Sequence, residues 1–318
     1  MNTLTSLRGP ARVVVRQHRW TLWIAGGLAL VAVAGLIAVA LRASHVAEVF
    51  AASNCPVDGG AGRLCDVQAR SYSDSTSKYR SVFTDVALVL TALPAVFSAF
   101  VAGPLIAREL ESGTFKLSWT QSVSPARWLA AKLAVPTVLL LTGTVVLAAA
   151  LHWARSHADT PYASEWHTSD VFATTGTVPA AHVLFGLCVG ALVGLLARRT
   201  LLALSVSALV TGATIMVFRY WRGELWPTRT LTGPTLNAKE GMWWVESGDL
   251  TSSGVRVPHD LCNTVVSCMT DHDITAHYLD YHPASHFWPI QLVETGILLA
   301  LAALALTLAF RVLRRRTA

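Results

Sequence analysis

Long apolar runs alternate with shorter polar segments along this chain, and the runs come in nearly one size. Six of them approach the roughly 20 residues that carry a helix across a bilayer: Trp20 to Leu41, Val86 to Ala107, Trp128 to Leu151, Val178 to Ala197, Thr200 to Phe218 and Phe287 to Phe310. Three are uncharged; the others admit only Lys132, His182 and Glu294 as ionisable or basic exceptions. A cleaved signal peptide is the rival reading of the first run, but 22 apolar residues exceed an h-region of about 7 to 15. Six spans return the chain to its starting side. The pattern therefore predicts an all-α integral membrane protein with six transmembrane helices, both termini cytoplasmic, and a large outer loop between the fifth and sixth spans. The expected layout is an interfacial helix over 1–19, five helices over 20–218 with a cytoplasmic turn at 108–127 and outer loops at 42–85 and 152–177, an extracytoplasmic domain over 219–286, the sixth helix over 287–310, and a basic tail over 311–318.

Composition agrees: 53% of residues are hydrophobic and 14% charged, with a mean hydropathy of +0.47, which excludes an ordinary soluble surface. The net charge of +6 reads as topology rather than as a nucleic-acid site. With both termini inside, the inner segments hold 14 basic residues against 2 acidic, and the outer segments hold 11 against 16. Clusters such as Arg198-Arg199 and Arg314-Arg315-Arg316 sit beside span ends, as the positive-inside rule requires.

The cysteines fit the same topology. Cys55 and Cys65 share the first outer segment, Cys262 and Cys268 share the last, and Cys188 lies within a span. Two local pairs on an oxidising side suggest two disulfides, with free thiols as the alternative and no recognisable metal-ligand spacing. The 68 residues from Arg219 to His286 exceed a hairpin loop and predict a small outer domain. Its tryptophans suit a lipid-headgroup surface, and its histidines (His272, His277, His282, His286) read as solvated or hydrogen-bonded rather than as a metal centre.

Within the spans, Gly186, Gly190 and Gly194 form a small-residue ridge on one helix face, which predicts close packing against a helix of this chain or of a second copy. Pro94 and Pro136 predict bends. Pro10, Arg12, Arg16 and Arg19 outline an amphipathic helix leading into the first span, or a snorkelling basic flank. Glu294 and His182 lie at similar outer depth and are the candidate residues of a substrate route, able to pair across a cavity; a satisfied structural hydrogen bond is the alternative.

Between the second and third spans, Gly113 can end a helix in the left-handed conformation, and Ser124-Pro125 can start another. The segment from Ala107 to Trp128 resembles the cytoplasmic loop of ABC exporter permeases of the drug-efflux type, where a short helix with a Glu-x-Glu-x-Gly-Thr pattern passes ATPase movement to the membrane. Here the pattern reads Glu109, Glu111, Gly113, Thr114. The resemblance extends in outline to Arg16–Trp20, Leu195–Thr200 and Tyr281–Gln291, and is closest to actinobacterial members. It implies an ATPase-coupling site at Arg108, Glu109, Glu111, Gly113 and Thr114, with Glu111 as the partner contact and Glu109 free to pair locally with Arg108 or Lys116. It also implies a partner ATPase that binds ATP and Mg, a second permease copy with a homodimer the simplest assembly, and a drug-, peptide- or lipid-like cargo exported across the cell membrane. No phosphate loop, H-E-x-x-H, G-x-S-x-G or dinucleotide fingerprint occurs in the chain, so no catalytic residue, metal or bound cofactor is expected. The rival functions are a sensing or immunity subunit that moves nothing, and a membrane enzyme acting on lipid-linked substrates through the outer loop.

Overall fold

The computed structural model describes residues 19–60, 62–113, 124–158, 165–236, 239, 241–258, 261–262 and 266–315. The expected N-terminal helix around Pro10, Arg12 and Arg16, and the residues Thr114, Lys116 and Arg316, lie outside the described residues.

Nine α-helices and four strands follow in order among the described residues: α1 (Arg19–Ala52), α2 (Arg63–Phe97), a π-helical turn (Ser98–Ala102), α3 (Gly103–Ser112), α4 (Pro125–His157), α5 (Ser169–Thr174), α6 (Val178–Ala197), α7 (Thr200–Trp221), β1 (Arg229–Gly233), β2 (Trp243–Thr251), β3 (Arg256–Pro258), α8 (Val266–Asp271), β4 (Ile274–His282) and α9 (Phe287–Arg315). Six continuous helical segments are long and apolar enough to cross a membrane: α1, α2 through α3, α4, α6, α7 with its 3-10 extension, and α9 with its own.

α6 sits at the centre. It packs against α9, α7, α2, α3 and α4, and Gly186, Gly190 and Gly194 explain how closely. A Cβ at Gly190 would stand 2.6 Å from Ala102 Cβ and 2.8 Å from the Ser98 carbonyl. One at Gly186 would stand 2.7 Å from the Pro94 carbonyl, and one at Gly194 the same distance from that of Gly103. The ridge therefore receives a helix of its own chain, across the π-turn that joins α2 to α3. Pro94 lies one turn before that π-turn, where its missing amide has already loosened the helical ladder.

The expected outer loop at 42–85 is mostly helix. α1 and α2 with α3 contain 34 and, through the π-turn, 50 residues, so at 1.5 Å per residue they run about 50 and 75 Å, far beyond a hydrocarbon core of about 30 Å. The surplus forms a projecting helical hairpin. Its cause is a stripe of buried positions, Ala69, Tyr72, Thr76, Phe83, Ala87, Leu90 and Pro94, at helical spacing. Phe83, Ala87 and Leu90 pack with Leu36, Ala40 and Ala43 of α1 and with Leu151 and Ala154 of α4. Cys55 and Cys65 are disulfide-bonded at the tip, beside the stacked rings of Phe50 and Tyr72.

The membrane-crossing part is all helical, but the all-α description needs amending for residues 219–286. There the chain forms an antiparallel sheet of order β1-β4-β2-β3. β4, Ile-Thr-Ala-His-Tyr-Leu-Asp-Tyr-His, is rich in β-branched and aromatic residues and takes the centre. Tyr278 lies across Gly248 in the register, with no side chain to oppose its ring, and the Arg256 guanidinium covers it at 4.4 Å. Cys262 and Cys268 form the second disulfide. Trp243 of β2 meets Trp166, His167 and His282, so the sheet is seated at the far end of the bundle, on the helix ends opposite the end of α3 and the start of α4.

Candidate functional site

α3 ends at Gly113, whose φ of 73° is the left-handed cap its sequence position calls for. α4 starts at Ser124, whose side chain accepts from the Arg127 amide at 3.4 Å. Both carboxylates in the last turns of α3 are tied to other helices. Glu109 pairs with Lys132 and accepts a hydrogen bond from Trp128 Nε1 at 3.0 Å, both on α4; among the described residues its cationic partner is thus Lys132 rather than Arg108, and Lys116 lies outside them. Glu111 Oε2 accepts from the Thr200 amide at 2.9 Å and from its hydroxyl at 2.6 Å.

The second contact has a clear physical role. α6 and α7 are joined only by Arg198 and Arg199, with Arg198 left-handed at φ 52°, so α7 begins abruptly with orphan amides. A carboxylate from α3 caps it and faces the positive end of its dipole. Sequence reasoning marked Glu111 as a partner contact and missed this role, because a cap supplied from 89 residues away leaves no local signature. Arg108 is exposed, as is Glu111.

At the far end, the two ionisable span residues do not pair with each other. Glu294, fully buried, accepts from Arg222 Nε at 2.8 Å and Nη2 at 3.1 Å. Arg222 is itself buried and lies 4.3 Å above the Phe172 ring. Its position past the expected end of the fifth span hid it, although a buried carboxylate demands a cation and Arg222 is a candidate at the right end. His182 is also buried; its Nδ1 bonds the Val178 carbonyl at 3.2 Å, and its Nε2 has no partner among the described residues.

Another buried residue escaped the sequence reading. Gln291 of α9 accepts from the Thr177 and Val178 amides at 3.2 Å and donates to the Phe172 and Thr175 carbonyls at 3.0 Å. It thereby caps α6 as Glu111 caps α7. Arg155 of α4 completes the far end, donating to Asp170 and Thr174 of α5 at 3.0 Å.

Three of the histidines of the 219–286 segment, His277, His282 and His286, make side-chain hydrogen bonds. His277 meets Asp249 at 2.6 Å, and His282 bridges His286 and the Gly223 carbonyl at 3.0 and 2.9 Å. Burial lowers the His167 pKa, against the pull of Glu165. Cys262, Cys268 and His272 bring ligand atoms within 4.8 Å, but the two sulfurs are bonded to each other and a metal takes a thiolate.

A family model described as ABC-2 membrane transporter related matches residues 21–222, and the chain belongs to that family. It is accordingly a multi-pass membrane protein of the ABC transporter permease class, a family of membrane transport components. No curated protein and no solved structure matches it. The matched stretch takes in the Glu109–Glu111 helix and closes at Arg222, ahead of the sheet and α9.

Proposed function

We propose that the chain is the membrane subunit of an ATP-driven exporter, with both termini cytoplasmic, in which a separate ATPase docks on the turn at 108–127. One observation supports this above the others: Glu109 binds α3 to α4, and Glu111 binds α3 to the start of α7. A push on the turn therefore reaches three membrane helices at once. The glycine ridge holds α6 against the α2–α3 helix, so the movement passes to the centre of the bundle. Disulfides confined to the far end, and basic clusters at the other, favour this orientation. ATP and Mg belong to the partner, a homodimer is the simplest assembly, and the cargo class is drug-, peptide- or lipid-like. A cavity at the far end lined by His182, Arg219 and Arg222 forms the far part of the route, with Glu294 as the counter-ion that positions Arg222.

Co-purification from the native host tests the reading with two variants. Glu111→Ala removes both the carboxylate and the cap, whereas Thr200→Val removes only the hydroxyl bond to it. Wild type and Thr200→Val are expected to retain an ABC ATPase, and Glu111→Ala to lose most of it. Recovery of no ATPase by properly folded wild type contradicts the proposal.

A further inference from the structure

A cavity of about 420 Å³ opens at the far end among α2, α5, α6 and α7, a size typical of small-molecule sites. Part of its wall is apolar, from Leu88, Leu90, Pro94 and Ile215; the polar part includes Asp170, His182, Arg219 and Arg222. Two of these charges are already balanced. Asp170 is paired with Arg155, and Arg222 with Glu294. Arg219 is left as the net charge of the lining: it is exposed and makes no hydrogen bond or ion pair among the described residues.

His182 adds a specific demand. Its Nδ1–H is committed to the Val178 carbonyl, which leaves Nε2 as a buried lone pair without a donor among the described residues. A buried polar atom in that state is costly and rare. An acid group arriving with its proton supplies the donor, whether the proton stays on the acid or passes to the ring, because either state is hydrogen-bonded. A guanidinium nearby favours the ionised form of the same group. Leu88 is 61% exposed, so the apolar wall is reached from the lipid-facing side of the bundle.

We infer that this cavity binds an amphiphile with an acidic head, a carboxylate or a phosphate monoester, its head against Arg219 and His182 and its tail along Leu88, Leu90, Pro94 and Ile215. The inference rests on the cavity being a ligand site, as in the proposed route, but not on ATPase docking or transport, since the chain alone contains every residue it uses.

The test is native mass spectrometry of the full chain in zwitterionic-lipid nanodiscs, titrated with hexadecanoate, hexadecyl phosphate, hexadecanol, hexadecyltrimethylammonium and inorganic phosphate. One molecule of hexadecanoate or hexadecyl phosphate is expected per chain, with hexadecanol and the cationic probe at least about tenfold weaker. Arg219→Gln is expected to cost the acidic probes a similar factor and leave hexadecanol unchanged, while Ile215→Ala weakens all tailed probes alike. Equal binding of hexadecanol or of the cationic probe overturns the inference, as does an Arg219→Gln variant that binds like wild type. Inorganic phosphate binding as tightly as hexadecyl phosphate would show a simple anion site and overturns it equally. Each of these outcomes leaves co-purification of an ATPase unaffected, so the two failures are separable.

Discussion

Arg222 and Glu294 show how one residue pair fixes the far end of the bundle. Both are buried, at 5% and 0% side-chain exposure, so their desolvation is offset only while both are present. Glu294→Ala strands a guanidinium beside Phe172, and its expected cost is about 3–5 kcal/mol. The double variant Arg222→Met/Glu294→Leu should recover most of that loss, with a thermal midpoint in detergent above either single variant; additive losses would deny the coupling. In the four-stranded sheet, burial opposes the Asp280 carboxylate, yet hydrogen bonds from Arg256 and Thr230 and the Arg256 charge outweigh it and hold its pKa below the usual 3.8. A depressed folded pKa means the contribution is complete above pH 3.8 and is lost as pH falls through the lower folded value. Acid titration followed by tryptophan fluorescence should therefore show a transition in the sheet below that pH, absent in Asp280→Asn. Glu294 and His182 were recognisable in the sequence as ionisable groups in apolar runs. Their real partners, Arg222 and the Val178 carbonyl, were not, because nothing in a linear pattern distinguishes the one loop arginine that folds inward.

At the scale of elements, the glycine ridge was legible and its partner was not. Spacing marks a face for close approach, whereas the choice of α2, the π-turn and α3 as occupant depends on Pro94 and on how the chain returns. Gly190→Ala is expected to destabilise the bundle by about 1–3 kcal/mol, since its Cβ would fall 2.6 Å from that of Ala102. Gly212→Ala on α7, where nothing lies within 4 Å, should be neutral or slightly stabilising. Detergent melts of the two variants side by side check this, and equal losses would contradict it. The helical hairpin of α1 and α2 was overlooked because a search for continuous apolar runs ignores an amphipathic stripe. The stripe from Ala69 to Pro94 was nonetheless present in the sequence. β4 was also readable, since its β-branched and aromatic content argues against helix, but a chain dominated by membrane spans draws attention from short strands.

Across the whole molecule, two carboxylates at one end and two buried polar clusters at the other are joined by a closely packed α6. Glu109 ties α3 to α4 and Glu111 ties α3 to the start of α7, so under the proposed function a push on α3 is felt by three helices together. The six apolar helices and the caps at Gly113 and Ser124 were legible because bilayer thickness and helix caps are local rules; the helix ends capped from afar by Glu111 and Gln291 were not, because they are products of tertiary packing. Site-specific photo-cross-linking in the native host tests the coupling claim most directly, with a photoreactive amino acid placed at Arg108 or, separately, at Trp244. Both sites are exposed, one on α3 near its Gly113 end and one on β2 of the sheet. A covalent adduct with an ABC ATPase is expected from position 108 and none from position 244. An ATPase adduct from 244, or none from 108 in folded and membrane-inserted protein, would contradict it.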